Sequence, residues 1–193
     1  AMAAGLRARI HRDAGRLEKA IESYNEAIAL HEKSGNKLEW IRDATTLIYV
    51  HLQNRTSLAE ARRILKTIAG ELPYHSHSEY RIAYFHGLLA THTGNHKKAV
   101  AHLRRAVDVA TRMGKERLRS YARQVLSLTL ETTGRVSEAL VLMREDLDAL
   151  PKEGAACDRL FLLNNYAWMG LLGFESQAYE SSKEAPALID LAE

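Results

Sequence analysis

Nine histidines and a single cysteine are the side chains of this 193-residue chain best suited to metal or nucleophile chemistry, and their spacing decides whether they can do it. His92 and His96 stand four apart, the interval at which two imidazoles share a helix face, but Gly94-Asn95 between them reads as a turn. His75 and His77 follow Pro73 with only Glu79 nearby, there is no HExxH or CxxC, and a closed zinc site needs four ligands. Gly114-Lys115 lacks the upstream glycine of a phosphate loop, and no G-x-G-x-x-G occurs. Ser34-Gly35-Asn36-Lys37 fits S-x-x-K only within an inter-helix loop, and Asn54-Arg55-Thr56 is a glycosylation sequon that matters only on export. Cys157, near a predicted helix start, could have a lowered thiol pKa, yet it reads as a buried structural thiol. No catalytic constellation, metal site or cofactor is expected. Function must then come from surfaces, and so from the elements that shape them.

The composition narrows those elements. Lys plus Arg number 27 against 24 Asp plus Glu, for a net charge of +3, and 46% of residues are apolar. A disordered tail is excluded, since the chain can bury a core. No stretch approaches the roughly 18 consecutive apolar residues of a membrane span. The start, Ala1-Met2-Ala3-Ala4, has no secretory pattern and reads as a scar on an excised fragment. The lone Cys157 fits a reducing, cytoplasmic compartment.

Internal repetition is the dominant feature. Five segments place a turn residue five positions ahead of an alanine: Gly15 to Ala20, Thr56 to Ala61, Gly94 to Ala99, Gly134 to Ala139, Gly173 to Ala178. The alanines recur at intervals of 41, 38, 40 and 39. Gly35, Gly114 and Gly154 add a second mark twenty residues after the first, so each repeat carries two helices. Within 95–113, Ala99, Val100, Leu103, Ala106, Val107 and Ala110 follow the i, i+3, i+4 pattern of an amphipathic helix. Ser57 and the Val136-Ser137-Glu138 run offer capping side chains at helix starts. The spacing predicts ten helices, at 3–13, 17–33, 37–53, 57–71, 77–93, 95–113, 115–133, 136–150, 156–172 and 175–185, and no strand. They form repeats at about 1–35, 37–73, 77–114, 115–154 and 155–193 of one domain, itself part of a longer protein. Gly at each turn tolerates positive φ, and Ala on the facing surfaces lets helix axes approach.

These residues carry a family resemblance. Gly15 through Ile28, with Gly15, Ala20, Tyr24 and Ala27 in register, resembles the second half of a tetratricopeptide repeat. Gly87, Gly94, Ala99 and Ala106 match both halves of that motif, and Pro151 its closing proline. The period near forty exceeds the usual 34 and is similar to the extended repeats of kinesin light chains, Leu-Gly-Asn adaptor proteins and the sensor regions of large bacterial regulators. The resemblance implies an all-α, right-handed superhelical solenoid of antiparallel helix pairs. It also implies binding rather than catalysis, in a concave groove lined by the first helix of each pair.

With each turn residue set at position fifteen, the family's groove positions are 2, 5, 6, 9, 12 and 13. They give Asp43, Thr46, Leu47, Val50, Gln53 and Asn54 in the second repeat and Arg81, Tyr84, Phe85, Leu88, Thr91 and His92 in the third. The fourth gives Tyr121, Gln124, Val125, Leu128, Glu131 and Thr132. The slots that hold a peptide carboxylate in some members contain Gly5, Arg9, Leu47, Arg81 and Phe85, so that clamp is missing. The expected groove is Leu47, Val50, Arg81, Tyr84, Phe85, Leu88, Tyr121, Gln124 and Leu128, suited to the apolar face of a helix or an extended segment. Phe85 and Leu88 also read as inter-repeat core. Two alternatives stand beside this one: a ligand-sensing domain of a bacterial transcriptional or signalling regulator, and a basic repeat on nucleic acid. Residues 97–123 carry +7 and 131–193 carry −7, but a solvated helix face is favoured over nucleic acid, since only Tyr121 supplies an aromatic in the basic band. The apolar fifth repeat (Leu160, Phe161, Leu162, Leu163, Trp168, Met169) expects a cover, from another domain of the same chain or by self-association.

Overall fold

The computed structural model describes residues 1–71 and 76–149, together with Leu160, Leu163 and Tyr166. Eight α-helices occupy the described residues, without a strand among them: α1 (Met2–Asp13), α2 (Leu17–Lys33), α3 (Lys37–Gln53), α4 (Leu58–Glu71), α5 (Ser76–His92), α6 (His96–Arg112), α7 (Glu116–Glu131) and α8 (Val136–Ala149). Each boundary falls within two residues of the one that apolar spacing predicts. The expected ninth and tenth helices, with Gly173, Ala178, Cys157 and most of the apolar fifth repeat, lie outside the described residues. Among those described, no helix is long and apolar enough to cross a membrane.

Helix ends show how the chain is punctuated. Gly15, Gly35, Gly94, Gly114 and Gly134 all have φ between 62° and 75°, the left-handed region that costs a side-chain-bearing residue roughly 1–2 kcal/mol. At Gly15 the amide donates to Arg12 O and the next amide, of Arg16, donates to His11 O, at 2.9 and 2.8 Å. These two bonds satisfy the last carbonyls of α1 and turn the chain into α2. Asn36 and Asn95 then cap the following helices, their side-chain oxygens accepting from the Glu39 and Lys98 amides. Ser57 caps α4 in the same way, accepting from Glu60 N at 3.1 Å. Ser137 lies inside the first turn of α8 and does not cap it.

One turn departs from the pattern. Between α3 and α4 the left-handed position is filled by Arg55 (φ 50°), with the Arg55 and Thr56 amides donating to Leu52 O and His51 O. Arg55→Gly should therefore raise stability by about 0.5–1 kcal/mol, the relieved strain being offset in part by the freer unfolded chain. A urea denaturation midpoint no higher than that of the parent would refute this reading of the turn.

The chain packs as two compact units, Ala1–Thr93 and Gly94–Glu193, with the boundary at the Gly94 turn; the repeat count expects one array. In the first unit α1 packs on α2, α2 on α3, α3 on α4, and α4 and α3 on α5. The only buried residues of α1 are Ala4, Gly5 and Ala8, and the fully buried Ala20 and Ala27 lie on α2. Two such smooth faces allow a close approach of the axes. Tyr24, Leu47, Ile48, Leu52, Leu65 and Ile68 fill the rest of this core, each worth about 1.5–3 kcal/mol of apolar transfer. Ala61 and Gly87 are buried in the same unit.

In the second unit α7 packs on both α6 and α8. Ala99, Leu103, Ala106, Leu126, Leu130 and Ala139 are almost wholly excluded from solvent there. Ion pairs tie its basic and acidic stretches together: Arg104 to Glu138, and Arg123 to Glu145 at 2.6 Å and to Asp146 at 2.9 Å. The charge separation visible in the sequence is thus partly neutralised within the unit.

Candidate functional site

The left-handed Arg55 sets the register of the second helix pair. By its positive φ and its hydrogen bonds Arg55, rather than Thr56, is the turn residue equivalent to Gly15, and Thr56 is an extra residue between it and the Ser57 cap of α4. Counting α3 from Thr56 displaces every position by one, and one residue rotates a helix by about 100°. This corrects the expectation for Leu47 and Val50: at 0% and 1% exposure they occupy core positions 7 and 10. Counted from Arg55, the groove positions of α3 hold Arg42, Thr45, Thr46, Tyr49, Leu52 and Gln53, of which Leu52 is buried in the core. Tyr49 is 40% exposed. It is the residue that reading the sequence missed: the Ser57 cap dates the start of α4 but not the length of the turn before it.

In the first unit the face so defined carries Arg42, Thr45 and Thr46, half-buried, beside the exposed Tyr49 on α3. The hydroxyls of Thr45 and Thr46 donate to carbonyls of their own helix, Thr46 to Arg42 O at 2.8 Å. Arg42 pairs with Glu39 and, through Nε, with Asp43 Oδ1 at 3.1 Å. On α5, Arg81 and Tyr84 are half-buried, whereas Phe85 and Leu88 are packed away at 9% and 7%. Tyr84 stacks on Tyr80 with centroids 5.7 Å apart and meets Phe85 edge-on at 5.6 Å, so its ring is held in place before any partner arrives. His92, at position 13, has its pKa lowered, first by burial and then by Arg55.

In the second unit the same positions of α7 present Tyr121 and Leu128, both exposed, with Gln124 and Val125 half-buried between them. The Arg117 guanidinium lies 5.7 Å from the centre of the Tyr121 ring, and its Nε donates to Tyr121 Oη at 2.9 Å. The result is an apolar stripe flanked by a cation. Of the eight exposed large apolar residues among those described, seven (Met2, Leu6, Ile10, Leu38, Tyr49, Tyr121, Leu128) lie on α1, α3 or α7, and only Val141 lies on the second helix of a pair.

The described residues contain no group of three or more His, Cys, Asp or Glu placed to hold a metal ion. His92 closes α5 and His96 opens α6. The Thr132 hydroxyl lies 3.4 Å from His96 Nδ1.

Comparison with known proteins agrees with this architecture. The tetratricopeptide repeat family matches residues 3–34 and 80–111. Comparison with curated proteins finds no sequence relative. Among solved structures, the chain is similar to a Podosopora anserina protein assigned as a kinesin light chain, with nearly identical tetratricopeptide-like repeats (18% identity, TM-score 0.71, covering 100% of this chain and 96% of that one). It is similar also to the apo form of RapI (13%, 0.74, covering 99% and 70%) and to MamA (14%, 0.59, covering 98% and 91%). At these identities the likeness speaks for the fold alone. The chain carries tetratricopeptide repeats at 3–34 and 80–111, and its described helices have the tetratricopeptide-like helical-repeat fold.

Proposed function

We propose that the chain is a non-enzymatic interaction module that engages a peptide, helix or domain through the first helices of its repeats. The supporting observation is the concentration of exposed apolar side chains on those helices, five of which (Met2, Leu6, Tyr49, Tyr121 and Leu128) stand at positions that the corrected register assigns to the groove. Tyr49 and Leu128 share position 9, and Tyr121 stands at position 2. Tetratricopeptide repeats serve in general as protein-interaction scaffolds, and exposed tyrosines are effective anchors because a large rigid ring is buried at little entropic cost. This reading places the module in a cytoplasmic regulatory or signalling protein, with the partner either separate or another domain of the same chain. Nucleic acid is the weaker reading, because Arg104 and Arg123 of the basic band are engaged by carboxylates of α8.

Selection of a random peptide library on the intact chain tests it. Enriched peptides that engage the first unit should lose at least tenfold in affinity on Tyr49→Ala, those that engage the second should lose as much on Leu128→Ala, and all should be indifferent to Val141→Ala on α8. Binders that ignore all three substitutions would remove the first-helix face as the site.

A further inference from the structure

Apart from that face, the first unit holds a pocket of about 150 Å³ where α2 ends, α3 begins and α4 ends. Its lining comprises His31, Glu32, Lys37, Trp40, Ile41 and Glu71, with Gly35 and Thr67 completing the wall. The chemistry is asymmetric. Trp40 and Ile41 supply an apolar wall, and Glu32 and Glu71 are carboxylates. The lining cation among the described residues, Lys37, sits with its Nζ 3.2 Å from Glu71 Oε2. The pocket therefore already attracts an ammonium, its own, to one rim.

His31 gives the second, independent observation. It is 1% exposed, and neither ring nitrogen has a hydrogen-bond partner. Leaving such a group unsatisfied costs roughly 1–3 kcal/mol. Its Nε2 lies 3.5 Å from Asp43 Oδ2, a carboxylate just as buried. A carboxylate beside Nε2 favours the tautomer protonated there, which leaves Nδ1 as an acceptor. A ligand that donates hydrogen bonds is the natural complement. The carbonyl ends of α2 and α4 both meet at the pocket and favour positive charge, whereas the one amide end, that of α3, is capped by Asn36. An aromatic face adds attraction for a cation.

We propose that this pocket binds a primary ammonium on a short apolar stem, with the stem against Trp40 and Ile41 and the ammonium shared by Glu32, Glu71 and His31. A free alkylamine and the side chain of a lysine both offer that chemistry. The site is independent of the first-helix face. It gives the fold a small-molecule or lysine-reading function beyond peptide capture.

Trp40 makes the test direct. The chain has two tryptophans, so in a Trp168→Phe background the emission reports on Trp40 alone. Titration with n-butylammonium chloride should produce a saturating change that sodium chloride at the same ionic strength and n-butanol do not. Glu32→Gln with Glu71→Gln, both at exposed positions that the fold does not need, should weaken binding at least tenfold. Lys37→Gln should strengthen it several-fold by releasing Glu71. Nα-acetyl-lysine methylamide, titrated in parallel, separates the sources: its binding assigns the site to lysine side chains, and binding of butylammonium alone assigns it to free amines. No saturable response to either amine, an equal response to butanol, or indifference to the double glutamine variant overturns the proposal.

Discussion

Replacing Gly5 by Val should destabilise the first unit by about 3 kcal/mol, at the upper end of what overpacking costs. A β-carbon at this position would stand 2.8 Å from Asp43 Oδ2 and 3.6 Å from Asp43 Cγ. That carboxylate cannot swing aside, because its side chain is 2% exposed, tied to Arg42 Nε at 3.1 Å and facing His31 at 3.5 Å. Glycine inside a helix otherwise costs nearly 1 kcal/mol relative to alanine, so its use in α1 reflects space and not propensity. Gly5→Ala should also destabilise, against that propensity. Gly5→Ala with Asp43→Ala should then be less destabilised than the sum of its single variants, because the clash has been removed. Chemical denaturation followed by Trp40 emission in the Trp168→Phe background reads the unit directly. An unchanged midpoint for Gly5→Val would mean that Gly5 of α1 does not approach the Asp43 carboxylate as closely as described.

Asp146→Ala should cost the second unit about 3 kcal/mol at neutral pH, in the range expected when one member of a buried ion pair is removed. Asp146 is 4% exposed and holds Arg123, whose side chain is only 13% exposed. Without it Arg123 keeps Glu145, which is half in solvent and shields the charge poorly. Asp146→Leu with Arg123→Met should recover most of the loss, because neither buried charge then remains. The pH dependence has a definite sign. Burial raises the Asp146 pKa above its ordinary value of 3.8, and the hydrogen bond and charge of Arg123 act the other way without cancelling it. The folded state therefore holds this proton more tightly than the unfolded chain does. Its contribution to stability falls as pH rises from the ordinary carboxylate value through the folded one, and is level above that. Thermal melts across the acidic range should show this slope in the parent and lose it in Asp146→Asn. An identical profile in both would remove Asp146 as its source.

The helices were legible because each one is amphipathic along its length and bounded by residues with a local reason to be there. Gly15 and Gly94 stop helices by backbone freedom, and the asparagine after Gly35 and after Gly94 starts the next one by accepting an amide proton. Those signals act within a few residues and survive without knowledge of the partner helix. The face of α3 was legible only to within one residue. Its turn uses an arginine where others use glycine, and the glycine-to-alanine spacing cannot say which side of the extra residue the helix lies on. Burial settles it, since Leu47 and Val50 are inside and Tyr49 is not. The amine pocket and the Asp43 cluster were not legible at all. They join residues of α2, α3 and α4, and of α1 and α3, whose proximity depends on how helices pack and leaves no mark in the spacing of any one segment.

The long turn at Arg55 has a consequence for anyone who would cut and rejoin such arrays. Across the first two helix pairs the period is 40 when counted between first helices, Gly15 to Arg55, and 41 between second helices, Ala20 to Ala61. A chimera spliced by the alanine would carry its first helix one step out of phase and turn solvent-facing side chains into the core. A chimera spliced at the left-handed residue would keep both helices in phase, so that residue is the natural origin from which these modules are exchanged.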